Sequence, residues 1–247
     1  MRLIRAEVLK LRRRRGLVTA SVALIVAPVV VAYAVIAVLH AMDPARYDAP
    51  GGMGNFRSAT EVLNQIGIVA VVLVGATLGA GDRGAGVFRE LVVTGRSRLE
   101  LFAARIPGGL IFLSPFVVAA LAVAAVSAVA FAPDGEAATW GALTRSIAWV
   151  GLSMLVAYLL ALGTASAFGS RGTAVGVLLG WQLAAAPILL SSGKLDSVLP
   201  NAALLALQPA READPYLLSN AAVAAVLAAW TLVPLVLGAW RTASVDA

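Results

Sequence analysis

The chain has 247 residues, of which 60% are hydrophobic and only 13% are charged, and its formal net charge is +6. A soluble core cannot hide that much apolar surface at a mean hydropathy of +0.90, so lipid must be the solvent for most of the chain. The absence of cysteine excludes disulfide bonds and thiolate metal sites. The composition predicts an all-α integral membrane protein. It argues against nucleic-acid binding, because the basic residues lie at the ends of apolar stretches.

The chain opens with a basic arm, residues 1–16, in which apolar residues alternate with cations. On a helix, Leu3, Ile4, Val8 and Leu11 fall near one face, and the cations surround the rest. This pattern is typical of a helix that lies in the plane of the membrane interface and is attracted to anionic lipid. A second interpretation, in which the arm only anchors the topology, remains open.

Six apolar stretches are long enough to cross a bilayer, which requires roughly 20 helical residues. Residues 58–61 resemble a capping box for the second stretch, and residues 97–100 resemble one for the third. Glu61 and Glu100 are therefore expected to be helix caps rather than chemically active groups. The predicted spans are 17–41, 62–81, 106–132, 147–168, 173–192 and 217–240.

The positive charges are distributed unevenly between the two sides that six spans define. Of the 19 Lys and Arg residues, fourteen fall in the arm, in the loops after the second and fourth spans, and in the tail. The other side has five. Because Lys and Arg accumulate on the cytoplasmic side, both termini are predicted to lie in the cytoplasm.

The spans contain no acidic or basic residue away from their ends. Such groups mark most ion and proton pathways, so their absence argues against an ion-coupled carrier and against an intramembrane enzyme. The single histidine, His40, excludes a two-histidine zinc motif, and no P-loop is present. No catalytic residue, metal site or cofactor site is therefore expected.

Most polar residues in the spans are expected to form hydrogen bonds between helices. Three of them are the best candidates to line a substrate path: Asn64, Gln65 and Gln182.

Glycines and prolines interrupt the apolar stretches. Gly75 and Gly79 are four residues apart in the second span, a spacing that lets helix backbones approach closely. The same spacing occurs in the fifth span, at Gly172, Gly176 and Gly180. Prolines inside spans are expected to bend or loosen them, at Pro28, Pro107, Pro115, Pro187 and Pro234.

The largest charged segment in the interior of the chain is GDRGAGVFRELVVTGRSRLELFAAR, residues 81–105. Its first six residues break the second span, and VFRELVV then predicts a short amphipathic helix. That helix would present Val87, Phe88 and Leu91 together with Arg89 and Glu90, which is typical of a docking surface. A loop that only fixes the orientation of the chain in the membrane is the alternative.

Three segments make the chain resemble the permease subunits of type-2 ABC exporters. The segment 81–105 is similar to that family's coupling segment, although Val87 replaces the usual Thr, Asp82 the usual Glu and Gly95 the usual Pro. The arm sequence AEVLKLRRRR, residues 6–15, resembles the family's opening. The sequence LPNAALLALQP, residues 199–209, resembles its segment between spans five and six. The matching positions in the coupling segment are Asp82, Arg83, Gly86, Val87, Phe88, Arg89, Leu91, Gly95, Ser97, Arg98 and Arg105.

The resemblance implies one six-helix permease domain that pairs with a second permease copy, identical or different, and with two separate ATPase subunits that bind ATP and Mg²⁺. It implies that the short cytoplasmic helix in segment 82–105 is a coupling helix that lies in a groove of the ATPase. It also implies that segment 193–216 is an external gate. About ten apolar residues cannot span a bilayer, but such a segment can re-enter the outer leaflet. The implied ATPase-coupling residues are Arg83, Val87, Phe88, Arg89, Glu90 and Leu91, and the implied gate residues are Leu199, Pro200, Asn201, Leu204 and Leu205.

The sequence therefore favours a multi-pass permease of an ATP-driven exporter in the bacterial cytoplasmic membrane. Its expected substrate is a hydrophobic or amphipathic compound, such as a drug, an antibiotic, an antimicrobial peptide or a lipid-like molecule. Two alternatives remain: a non-transporting membrane sensor or immunity protein that binds such a ligand and, less favoured, an ion-coupled secondary carrier.

Overall fold

Helices make up nearly all of the described chain, and no β-strand occurs among the residues that the structure describes. The computed structural model describes residues 2–84, 97–133, 138–192, 196–209 and 218–244. A 3-10 turn at Asp196–Val198 precedes α7. The helices are α1 (Arg2–Arg13), α2 (Arg15–Met42), α3 (Gly52–Gly84), α4 (Arg98–Ala130), α5 (Trp140–Phe168), α6 (Arg171–Ser191), α7 (Pro200–Ala206) and α8 (Asn220–Ser244).

Within the described ranges, six helices are long and apolar enough to cross a membrane, namely α2 to α6 and α8. This confirms the predicted all-α fold with six spans. Ser97 caps the start of α4, as predicted. Its hydroxyl accepts a hydrogen bond from the Glu100 backbone N–H at 3.1 Å. α4 nevertheless begins eight residues before the predicted apolar start, because a helix continues beyond the part that lipid surrounds.

The capping box predicted at residues 58–61 is wrong. α3 already begins at Gly52, whose φ of 84° turns the chain into the helix. Ser58 therefore lies inside α3, where its hydroxyl donates to the Gly54 carbonyl at 3.2 Å, and Glu61 is an exposed residue of the helix interior. The first turns of α3 are only weakly apolar, so hydropathy alone did not predict that they belong to the helix.

The chain forms two compact units. The first consists of Met1–Arg14, Val71–Phe112 and Leu155–Ala247, and the second of Arg15–Ala70 and Leu113–Met154. The helices α3, α4 and α5 are therefore each divided between the two units. The candidate sites described below belong mainly to the first unit.

In the second unit, α2 packs closely against its neighbours. The Tyr33 hydroxyl of α2 donates to the buried Ala124 carbonyl of α4 at 3.2 Å. A methyl group at Gly67 of α3 would lie 3.0 Å from Met154 Cε of α5 and 3.7 Å from Ile25 Cγ1 of α2. A side chain at position 67 would therefore require the ends of neighbouring side chains, Met154 above all, to move.

In the first unit, α3 and α5 meet at two glycines. A methyl group at Gly75 would lie 2.8 Å from Ala161 Cβ, and one at Gly79 would lie 2.6 Å from the Leu162 carbonyl oxygen. The close approach predicted for this glycine pair is therefore confirmed within the chain. The glycines of α6 differ, because a methyl group there meets nothing within 4 Å among the described residues; they are Gly172, Gly176 and Gly180.

Two of the predicted helix perturbations appear as π turns. The α2 helix has a π segment at Val22–Val26, just before Pro28, and α6 has one at Trp181–Ala185, just before Pro187. A proline ring clashes with the carbonyl group four residues earlier and offers no N–H to it, and a wider turn relieves both problems. The other three prolines lie in helices that are α-helical throughout.

Candidate functional site

The first site begins where α1 packs against the first unit. Leu11 and Glu7 of α1 are buried, and the other predicted apolar residues of this helix are half-buried. At Gly108 of α4, a methyl group would come within 2.8 Å of Glu7 Cβ, so glycine lets α1 lie directly on α4. The predicted amphipathic helix is therefore present, but its protein-facing side includes an acid as well as apolar residues.

That acid belongs to a charge cluster formed by Glu7, Lys10, Asp82 and Arg105. Lys10 Nζ lies 2.9 Å from Glu7 Oε2 and 2.8 Å from Asp82 Oδ1, and Arg105 Nη2 lies 3.0 Å from Asp82 Oδ2. Asp82 is 5% exposed and Arg105 is 2% exposed. Because an unpaired buried charge costs several kcal/mol, about 3–5 in proteins in which one partner was removed, the two cations and two acids stabilise one another in place.

Two further hydrogen bonds hold Arg105, one through its guanidinium Nη1 and one through its backbone carbonyl. Its Nη1 donates to the Gly79 carbonyl at 3.3 Å, and its own carbonyl accepts a 2.6 Å hydrogen bond from the Tyr158 hydroxyl. Ser166 Oγ donates to the same Gly79 carbonyl at 3.2 Å. A side chain at Gly109 would collide with the Tyr158 hydroxyl, so this position must remain a glycine. The result is a polar junction that joins α1, α3, α4 and α5.

The charge cluster brings together residues from two of the segments on which the family resemblance depends. Asp82 lies three residues before the segment 85–96, and Arg105 lies nine residues after it. Lys10 comes from the basic arm. Arg83 belongs to α3, but its side chain is outside the described part of the structure. The remaining predicted ATPase-coupling residues lie wholly outside the described residues: Val87, Phe88, Arg89, Glu90 and Leu91.

The second site joins the predicted gate segment to α6. Asn201 of α7 accepts a hydrogen bond from Trp181 Nε1 at 3.2 Å and donates one to Gln182 Oε1 at 3.1 Å. The structure thus brings together one predicted gate residue and one predicted substrate-path residue. Leu199 and Pro200 are buried at the start of α7, and Leu204 and Leu205 are half-buried.

A second tryptophan extends this contact to α8. Trp230 Nε1 donates to the Val198 carbonyl at 2.8 Å, and its ring lies 5.3 Å from that of Trp181 with an interplanar angle of 33°. A cleft of about 320 Å³ adjoins it, lined by apolar parts of α8. We refer to Trp181, Gln182, Asn201 and Trp230 as the aromatic–amide cluster. It joins the segment 196–206 to α6 and α8.

The other two predicted substrate-path residues lie on α3 in the second unit. Asn64 is half-buried, and its Oδ1 is buried without a hydrogen-bond partner among the described residues. Gln65 is exposed. The Asn64 Oδ1 atom is thus enclosed by the protein, whereas Gln65 faces the surroundings of the unit.

The sequence analysis did not identify three of the residues that build these sites: Tyr158, Trp181 and Trp230. The available signal was that a tyrosine or tryptophan inside an apolar span still needs a partner for its O–H or N–H group. That signal identifies a donor but not its acceptor, which in each case lies on another element of the chain.

These features define a class of protein: a multi-pass helical membrane protein with a polar junction at a buried helix crossing. In the described ranges, no three His, Cys, Asp or Glu residues are grouped so as to hold a metal ion. Residues 3–184 match the family described as ABC-2 family transporter protein, well over half of the chain. The protein belongs to this family, which confirms the resemblance and makes it the membrane component of a transporter. No curated protein matches the chain.

Proposed function

We propose that the protein is the permease subunit of an ATP-driven exporter in the bacterial cytoplasmic membrane. It would work with a second permease copy and two separate ATPase subunits that bind ATP and Mg²⁺. Membership of the ABC-2 transporter family supports this proposal. No P-loop occurs in the sequence, so in such an exporter another chain would bind the ATP. The substrate would be a hydrophobic or amphipathic compound.

The observation that carries the proposal is the charge cluster at the two ends of the segment 85–96. A coupling helix must pass a displacement to the spans that flank it, and a rigid connection does this better than a loose loop. Asp82 and Arg105 pair at 3.0 Å, and Lys10 ties α1 to the same carboxylate. ATP-driven movement of the segment would therefore displace the ends of α1, α3 and α4 together.

The aromatic–amide cluster supports an external gate formed by the segment 196–206. Two side-chain hydrogen bonds and one side-chain-to-backbone bond join this segment to α6 and α8. Opening a path beside α7 would require breaking these contacts and exposing the buried face of α7, which Leu199, Pro200, Ala202 and Ala203 form. The gate would thus be closed at rest, and ATP-driven movement would have to supply the free energy that opens it.

A double variant in the coupling segment tests the proposal. We expect Phe88→Ala with Arg89→Glu to abolish ATP-dependent substrate export from cells that also express the partner ATPase. Insertion of the variant into the membrane should remain at the wild-type level. Arg171→Glu, at an exposed arginine at the start of α6, on the side predicted to be cytoplasmic, is the matched control and should leave export intact. Wild-type export by the double variant would contradict the coupling role. Failure of any ATPase to co-purify with the wild-type chain would instead favour a sensor or immunity protein.

A further inference from the structure

Where α1 lies on α4, the two helices leave an open cleft of about 410 Å³ between them. Its lining comes from Ile4, Arg5 and Val8 of α1 and from Ile111 of α4. The aliphatic side chains make the wall apolar, and Ile111 is half-exposed, at 52%. Apolar clefts of 300–1,000 Å³ are the usual size for binding an organic molecule.

Arg5 distinguishes this cleft from an ordinary gap between lipid-facing helices. Arg5 lines the cleft with the aliphatic part of its side chain and is exposed, while Ile4 and Val8 on the same helix are half-buried. Its guanidinium group lies outside the apolar wall, within the length of one side chain of a space that hydrocarbon lines. This arrangement matches a molecule with an anionic head and an apolar chain.

The position of α1 on α4 indicates how the cleft is oriented relative to the membrane. α1 lies on α4 at Gly108, and Ile111 is almost one helical turn further along α4, away from its start at Arg98. In the proposed topology, which this inference shares with the proposed function, that direction leads from the headgroup region into the bilayer. The charged end of Arg5 is then at the level of lipid phosphates, and Ile111 is at the level of acyl chains.

We propose that this cleft binds one anionic phospholipid of the cytoplasmic leaflet. Its phosphate pairs with Arg5, and an acyl chain lies against Ile4, Val8 and Ile111. The lipid extends the contact that α1 and α4 make at Gly108, on the same helix that carries Glu7 and Lys10 of the charge cluster.

The test counts bound lipid by native mass spectrometry on the purified, delipidated permease without any ATPase. The protein is titrated with phosphatidylglycerol or with phosphatidylcholine. We expect one phosphatidylglycerol to bind with higher affinity than phosphatidylcholine. Arg5→Gln should weaken the phosphatidylglycerol affinity about fivefold, since a basic residue near anionic lipid contributes about 1 kcal/mol. Arg2→Gln, an exposed arginine on the same helix but outside the cleft, should weaken it less.

A second pair of variants tests the apolar part. Ile111→Trp fills the cleft and should remove the bound lipid, whereas Val118→Trp, two turns further along α4 and 63% exposed, should not. Equal lipid affinity for the Arg5→Gln variant and the wild type, or undiminished binding by Ile111→Trp, would overturn the proposal. Dimers that dissociate in Ile111→Trp with an unchanged lipid count would also overturn it, because a second copy of the chain would then fill the cleft. Because no ATPase is present, the outcome is independent of whether the coupling proposal holds.

Discussion

Asp82→Asn should destabilise the protein strongly, because this carboxylate faces two cations. Arg105 is 2% exposed, and its Nη2 lies 3.0 Å from Asp82 Oδ2, so the substitution leaves a buried guanidinium without its counter-charge. Removing one partner of a buried pair costs about 3–5 kcal/mol. Lys10 adds little to this, because its side chain is 31% exposed and it retains Glu7 at 2.9 Å. A partly hydrated pair of that kind is worth about 0–1 kcal/mol.

The loss is measurable as the free energy of unfolding in mixed micelles with an increasing fraction of denaturing detergent. The five tryptophans of the chain provide the fluorescence signal. Glu100→Gln makes the same chemical change at an exposed acid of α4 and should cost less than about 0.5 kcal/mol. The double variant Asp82→Leu with Arg105→Met removes both charges and should recover most of the loss, since apolar replacements of a buried pair are often neutral. If the free energy of unfolding of Asp82→Asn lies within about 0.5 kcal/mol of the wild-type value, the charge cluster does not hold this junction together.

Three further predictions follow from the helix contacts. Tyr158→Phe should cost about 1–3 kcal/mol in the same unfolding assay, because the buried Arg105 carbonyl loses its 2.6 Å hydrogen bond; an unchanged midpoint would show that the bond contributes nothing. Gly163→Ala should destabilise the packing of α5 on α8, because the added methyl would lie 2.6 Å from the Leu235 backbone nitrogen. Gly176→Ala, with nothing within 4 Å, should unfold no more easily than the wild type, and equal losses for the two would contradict the packing. Cysteines at Gln182 and Asn201, in a chain that has none of its own, should react with a short bifunctional thiol reagent and stop export. Full export by the fully cross-linked variant would contradict the gate.

The number of spans was predictable because a bilayer demands a fixed length of apolar helix whatever the helix packs against. The glycine pair of α3 was predictable for a similar reason, since its four-residue spacing places both glycines on one face, where α5 approaches. Both predictions depend only on local sequence and on general properties of lipid and helices. The match of residues 3–184 to the ABC-2 family was likewise anticipated from motifs that are local in sequence.

Contacts between distant segments were not predictable in the same way. Lys10 and Asp82 are 72 positions apart, and each has many possible partners of opposite charge in the sequence. Asn201 was assigned to the gate and Gln182 to the substrate path, but their spacing does not show that they bond to each other. The start of α3 at Gly52 was missed for a different reason, because polar first turns carry no hydropathy signal although they remain helical.

The π turn at Trp181–Ala185 divides α6 into two parts that face different directions. A helix advances about 100° per residue, so one residue taken up in a wide turn rotates everything after it by that angle relative to an unbroken helix. The strip of small residues from Gly172 to Gly180 therefore ends at the turn, after about 12 Å at 1.5 Å per residue. A neighbouring helix packed along this strip would therefore meet small residues only on the first half of α6. Deleting a single residue within the turn would realign the two halves and extend the strip toward Pro187, at the expense of the orientation of Gln182 toward Asn201.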